Sequence, residues 1–332
     1  MLQNPQVPLI SPVYLFAMAF ELPVAMKIAI WLHYIVALLG IVLLARLVFK
    51  IKNGILAIYA GSIFFLNSHI SLQLSEGHTW ILPAAYIPYL FLGFEKYRLE
   101  GRAGWIFFSA AVFSLMIYAG GVYPVPLSFL FLFLYAVVMS LRQRKLSPLK
   151  AFILLAAYAF FLSAPRLIPI LDYMWTYPRH IAEKEGIPPI AWPEVFISRE
   201  QLRSPKPHFI GQVWGWHEYG CYIGLFGCLV LVLSFFWAVK DMKDSTKGHG
   251  KVALSFCLIF FLVLLLGNLQ PISLYGLLKK MPVFASLHIP GRFLLIVAFV
   301  GALLLLEFFR DVEEAFLKVR SKRVRILLQS SV

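Results

Sequence analysis

The feature that most constrains this chain is the way positive charge is distributed among its apolar stretches. Nine such stretches can be marked off, at about 22–47, 54–70, 80–95, 104–119, 122–140, 150–171, 220–240, 251–268 and 290–310. The connections between them alternate between Lys/Arg-rich and Lys/Arg-free. The first holds Arg46, Lys50 and Lys52, and the next, Ser71–Thr79, holds none. Lys96, Arg98 and Arg102 follow, then none in Ala119–Pro124, then Arg142, Arg144, Lys145 and Lys150. After a long segment, Asp172–Tyr219, come Lys240, Lys243, Lys247 and Lys251. The basic tail 311–332, just beyond Arg310, carries Lys318, Arg320, Lys322, Arg323 and Arg325. Short Lys/Arg-rich loops stay in the cytoplasm. The pattern therefore predicts an all-α, polytopic bundle of about nine spans, one integral membrane domain over residues 1–332, with its C-terminus inside and its N-terminus outside.

Composition agrees with that expectation and removes one alternative. Hydrophobic residues make up 61% of the chain and charged residues 14%. A span needs about 20 apolar residues. The net charge of +14 could suggest a nucleic-acid partner, but 20 of the 30 Lys/Arg fall in the five Lys/Arg-rich segments. Topology and anionic lipid account for them there, so no nucleic acid is expected. Cys221, Cys228 and Cys257 lie in or beside apolar stretches and form neither a disulfide framework nor a CxxC site.

Two further segments are apolar but not spans. Pro8–Phe20, interrupted by Pro12, reads as a short interfacial helix. Leu269–Leu287, with Lys279 and Lys280 opposite an apolar side, reads the same way. The segment 172–219 is rich in Pro, Trp, Arg, His and Glu. A connection of that length is usually functional or disordered, and its tryptophans argue for order. It is expected to form a small extracytoplasmic cap.

Ionisable groups near span ends at the expected outer face are the candidates for chemistry, because charge at the membrane is costly. Glu76 and His78 in LSEGHTW could share a proton or a metal; two wet loop residues are an equally good reading. His33, inside the first span, reads as a helix–helix hydrogen-bond partner. Arg166 in APRLIPILDYM has Asp172 six residues on, and pairs with a local carboxylate or receives a phosphate through its fork. Arg292 in HIPGRF follows Pro290 and Gly291 at the start of the last span, beside His288. That places a cation on a helix N-terminus, an arrangement that suits an anion, although a snorkelling Arg is the commoner case. WGWHEYG supplies Trp214, Trp216, His217 and Glu218, either as an aromatic belt or as a platform for a sugar ring. No metal-ligand set stands out.

Several of these pieces resemble YfhO-type bacterial membrane proteins in their order along the chain. They are WILPAAYIPYLFLGFEKYRLEGR, AGGVYP, APRLIPILDYM, WHEYGCYIGLFGCLVLVL and LLGNLQPISLYGLLKKMPVFASLHIPGRFLLIV, with NPQVPLISPVYL at residues 4–15. That family is similar in turn to the GT-C glycosyltransferases. The resemblance implies transfer of a sugar from a polyprenyl-phosphate donor to a cell-envelope acceptor, outside the bacterial cytoplasmic membrane. It implies Glu76 and His78 as catalytic helpers, and Arg166, Arg292 and His288 around the lipid phosphate. Asp172, Trp214, Trp216, His217 and Glu218 would touch acceptor or sugar. Such enzymes sometimes use a divalent cation, magnesium or manganese. Their catalytic carboxylate lies in a first outer loop after a first helix, and the match here begins at the end of that loop. An N-terminal helix is therefore expected to be missing. An N-out first span with no charge before Glu21 points the same way. The alternatives are a non-catalytic subunit of envelope polysaccharide or lipid assembly, and a lipid or polysaccharide transporter. The transporter would need polar residues at mid-span, where only Lys27 and His33 occur.

Overall fold

A computed structural model describes residues 3–177, 185–201, 214–240, 249–268 and 273–329, with side chains as far as 318. Within them the chain is helical apart from turns and one isolated bridge at Gly186. The order is α1 (Pro12–Ala17), α2 (Leu22–Leu47), α3 (Gly54–Phe65), α4 (Ser68–Ser75), a 3₁₀ stretch (Thr79–Tyr86), α5 (Ile87–Glu100), α6 (Ala103–Tyr118), α7 (Pro124–Gln143) and α8 (Ser147–Thr176). Then come a 3₁₀ turn (Pro189–Ala191), α9 (Trp192–Phe196), α10 (Trp216–Tyr219), α11 (Gly224–Lys240), α12 (His249–Leu265), α13 (Leu274–Leu278), α14 (Pro282–Ala285), a 3₁₀ turn (Pro290–Phe293) and α15 (Leu294–Gln329).

Local chemistry sets many of these boundaries. The side chains of Ser11, Asn53 and Asn67 cap α1, α3 and α4 by accepting from backbone N–H groups of the first turn. Prolines open α7 and α8 where the missing N–H costs nothing. Gly101, at φ +70°, ends α5 in the left-handed region.

The molecule is a helical membrane protein. Five helices among the described residues are long and apolar enough to cross a bilayer, and α3 with α4, bent by 41°, forms either a broken sixth span or a re-entrant loop. The nine expected spans are therefore not all seen as such. The third is divided between the 3₁₀ stretch, which contains Pro83, and a 14-residue α5, while α6 and α12 have 16 and 17 residues. The sixth span runs on past its expected end at 171. Pro165 and Pro169 lie inside α8, which continues through Asp172 to Thr176. Proline is tolerated in such helices because neighbouring groups satisfy the freed carbonyls. The expected cap accordingly begins after the helix, and 178–184 and 202–213 lie outside the described residues. Its described parts pack onto the bundle: Ile187 N–H donates to Leu265 O at 2.7 Å and Cys221 N–H to Val195 O at 3.0 Å, with Ile187, Ala191 and Val195 fully buried. The expected interfacial helix over 269–287 is two short ones, α13 and α14, with Pro282 opening the second; 269–272 lie outside the described residues.

Burial sorts centre from rim. In α15 94% of the most apolar window is inside the protein, against 17% for the span containing α11. α15 is thus the hub, packed on α3, α11 and α12, and α11 turns most of its apolar surface outward to lipid. Phe299 of α15 sits at the centre, 5.0 Å from the ring of Phe64, 5.7 Å from Phe131 and 6.0 Å from Phe91. Close helix approach uses small residues, as expected where lipid removes the hydrophobic drive between helices. Gly93 of α5 lies against the Trp105 carbonyl and Ser109 of α6. His33 is buried, its Nδ1 2.6 Å from Ala29 O and its Nε2 3.4 Å from Tyr86 OH.

The connections segregate to two ends. A cavity of about 250 Å³ is lined by Val48, Glu95, Arg98, Gln143, His249, Glu307 and Arg310, so it gathers all five Lys/Arg-rich segments. Arg98 forks onto Glu95 at 2.6 and 2.9 Å, Arg310 meets Glu307 at 2.5 Å, and Asp311 accepts from Lys251 and from Trp237 Nε1 at 2.9 Å. The Lys/Arg-free segments meet at the other end, around Arg292.

Candidate functional site

α4 begins the site. The Asn67 cap fixes the helix, and its last turn carries Gln73 inward, fully buried. Gly77, at φ +79°, then reverses the chain, and His78 N–H donates to Gln73 O at 3.0 Å. His78 is thereby folded back over Gln73. The Gln73 amide is an organiser: its Nε2 donates to His217 O at 2.7 Å and to Glu218 Oε2 at 3.1 Å. Its Oε1 lies 2.5 Å from His78 Nδ1. Because the amide nitrogen is already committed to two acceptors, Oε1 must accept, and His78 carries its proton on Nδ1. Nε2 of His78 therefore presents a lone pair. Burial holds this imidazole below its ordinary range, the Glu218 charge opposing that shift and the Arg292 charge adding to it. The ring is therefore neutral at pH 7.

The four-residue helix α10 supplies His217 and Glu218. Glu218 is 1% exposed. Its carboxylate is met by Arg292, whose Nε donates to Oε2 at 2.8 Å while Nη2 donates to Oε1. The guanidinium lies over the Tyr123 ring at 4.2 Å and the Trp80 ring at 5.0 Å, and those two rings are 4.7 Å apart. A fork on a carboxylate with aromatic faces around it is the arrangement for which Arg is suited and Lys is not. The chain pays locally to place it there. Ile289, β-branched, is held at φ +65°, and the next turn is 3₁₀. Gly291 lets the Glu218 backbone pass so close that a Cβ there would stand 1.9 Å from Glu218 O.

His217 completes the cluster. Its Nε2 is 3.7 Å from Glu218 Oε1, its Nδ1 4.0 Å from Glu76 Oε1, and its ring 5.5 Å from that of His78. Glu76 is the rim, with 56% of its side chain exposed. His69, fully buried, sets Nδ1 3.2 Å from Gly220 O, and its Nε2 has no hydrogen-bond partner among the described residues.

Of the residues expected from sequence, Glu76, His78, His217, Glu218 and Arg292 come together. His288 adjoins them through Tyr123, its N–H 3.4 Å from the phenol oxygen. Arg166 and Asp172 do not pair. Arg166 is buried and donates from Nη2 to the carbonyls of Asn4 and Val7 at 2.6 and 2.7 Å, pinning the N-terminal segment, while Asp172 is exposed on α8. Trp214 donates from Nε1 to Glu185 at 2.8 Å, and Trp216 is buried, so its ring offers no open stacking face. Gln73, Trp80, Tyr123 and His69 belong to the site without having been expected. A polar amide between Leu72 and Leu74 was the available signal for Gln73. The chain matches no family model, no curated protein and no solved structure.

Proposed function

We propose that this chain is a GT-C-type membrane protein, related to the YfhO proteins, that transfers a sugar from a polyprenyl-phosphate donor to a cell-envelope acceptor. The observation that carries this reading is a cavity of about 880 Å³ whose wall includes Phe113, Ile117, Phe129, Leu171, Tyr123 and Leu287. It is apolar along most of its length, yet Tyr123 is also the ring on which Arg292 lies. A long isoprenoid chain suits the apolar part, and its phosphate would then stop beside Tyr123 and His288, at the edge of the charged cluster. Glu76, on the exposed rim of the cluster, is the carboxylate placed to take a proton from an acceptor hydroxyl. Arg292 has its fork closed on Glu218, so in this reading it holds the carboxylate in place and lends positive field to the phosphate from behind Tyr123.

The lipid is tested by native mass spectrometry of the detergent-purified chain with undecaprenyl phosphate. One lipid should be retained, and Leu171→Glu, a charge in the half-exposed wall, should abolish retention. Equal retention of phosphatidylglycerol, or no effect of the substitution, would refute a polyprenyl site.

In the same reading the Lys/Arg-rich end faces the cytoplasm of a bacterium, the chain crosses nine times, and the His78–Arg292 cluster lies at the outer face. A phosphatase reporter that works only outside the cytoplasm should be active when fused after Ser75 and inactive after Arg144. Activity at Arg144 would invert or break the topology.

A further inference from the structure

We propose that His78, His217 and Glu218 form a binding site for a divalent first-row transition ion, with zinc the best fit. The nitrogen and oxygen donors of these three side chains all lie within 4.8 Å of one another. Donors around a tetrahedral zinc stand about 3.4 Å apart, given zinc–ligand distances of about 2.0–2.1 Å. Small side-chain rotations close that gap.

Three features beyond proximity support a metal rather than a chance meeting of polar groups. The first is the tautomer of His78. Metal-ligating histidines donate the other ring N–H to a carbonyl or carboxylate, which fixes the ring and aims the free nitrogen at the ion. Gln73 Oε1 receives that N–H here, and the same amide holds the Glu218 carboxylate and the His217 backbone, so one buried residue orients all three donors. The second is Glu76, which faces His217 Nδ1 at 4.0 Å and can take its N–H, leaving Nε2 directed at Glu218. The third is Arg292. It keeps Glu218 ionised, and since each carboxylate oxygen has two lone pairs, Oε1 retains one for an ion.

The donor set also selects the ion. Two imidazoles and one carboxylate suit zinc and its first-row neighbours; magnesium prefers an all-oxygen shell. The family resemblance allows magnesium or manganese; of the two, this chain's own residues disfavour magnesium. Three protein ligands leave a fourth position open, as in catalytic rather than structural sites. With Glu218 and Glu76 at −1 each, Arg292 at +1 and the ion at +2, the loaded site is positive overall and would take an anion, such as a phosphate oxygen, in that position. Metal binding does not depend on the lipid reading, since it is measured without lipid, and lipid retention is measured without metal.

The test uses the full chain in detergent, stripped with a chelator and titrated with Zn²⁺ by calorimetry, with bound metal counted by elemental analysis. One Zn²⁺ per chain is expected, with binding unaffected by excess Mg²⁺. His78→Ala and His217→Ala should each weaken binding by about 100-fold or more, and Glu76→Gln by about tenfold. Metal-free melting curves show that each variant is folded, and His78→Gln provides a variant of closer shape. Co²⁺ substitution should give a tetrahedral spectrum without a thiolate charge-transfer band, which separates this site from the three cysteines. Absence of stoichiometric Zn²⁺, displacement by Mg²⁺, or full binding in folded His78 and His217 variants would overturn the proposal.

Discussion

Arg292→Leu should destabilise the protein by about 3–5 kcal/mol, the cost of leaving a buried charge without its partner. Glu218 is 1% exposed, and after the substitution it would keep the Gln73 hydrogen bond and the neighbouring His217 but lose both hydrogen bonds to Arg292. The leucine would also leave Tyr123 and Trp80 without the cation that lies over both rings. Arg292→Lys should recover only part of the loss, because an ammonium cannot span both carboxylate oxygens or lie flat on the rings. Adding Glu218→Gln to Arg292→Leu should restore stability relative to the single variant, since the uncompensated charge is then gone. Unfolding monitored in detergent checks all three. A lysine variant as stable as the parent would mean that Arg292 is only a snorkelling cation.

Gly291→Ala is expected to cost about 2–3 kcal/mol and to dismantle the site at the same time. A Cβ at this position meets Glu218 O at 1.9 Å and the Glu218 carbonyl carbon at 3.0 Å. That obstacle is backbone, so no side-chain rotation relieves it. Either α10 or the start of α15 must move, and either movement separates Glu218 from Arg292. Gly104→Ala is the internal comparison. It lies within α6, where a Cβ would meet nothing within 4 Å, and should be neutral or stabilising by up to about 1 kcal/mol. Melting temperatures of the two variants, with Zn²⁺ titration of Gly291→Ala, check both halves of the expectation. A Gly291→Ala protein that keeps its stability and its Zn²⁺ binding would show that the approach of α10 to α15 is not required.

Much of the architecture could be read from charge. The sorting of Lys/Arg among the connections predicted two sets of segments, and one set does meet at the cavity that joins Val48, Glu95, Gln143, His249 and Arg310. Hydropathy was less informative about how each stretch would be built. It gave no sign that Thr79–Tyr86 would be 3₁₀, or that α8 would run through two prolines and carry Asp172 in its last turns. Those outcomes depend on which neighbours satisfy freed backbone groups, and a single stretch does not encode its neighbours. The site was legible as separate letters. His78, His217, Glu218 and Arg292 each stood out as a polar residue near a span end. Their pairing did not, because Glu218 and Arg292 are 74 residues apart and no local pattern links them. Arg166 was read as free to meet Asp172 or a phosphate. Its partners include the carbonyls of Asn4 and Val7, which have no signature in sequence.

The hub position of α15 has a consequence for how the protein is made. Glu218 leaves the ribosome 74 residues before Arg292, and Lys251 leaves 60 residues before Asp311. For those intervals Glu218 awaits the guanidinium that forks onto it, and Lys251 awaits the Asp311 carboxylate. Both partners arrive with one segment, Arg292 in the 3₁₀ turn and Asp311 in the α15 that follows it. Insertion of that segment therefore fills the hydrophobic centre and supplies both partners in one event. A nascent chain stalled before that event has an open groove at its centre and a Glu218 carboxylate without its guanidinium, features that distinguish an unfinished molecule from a finished one.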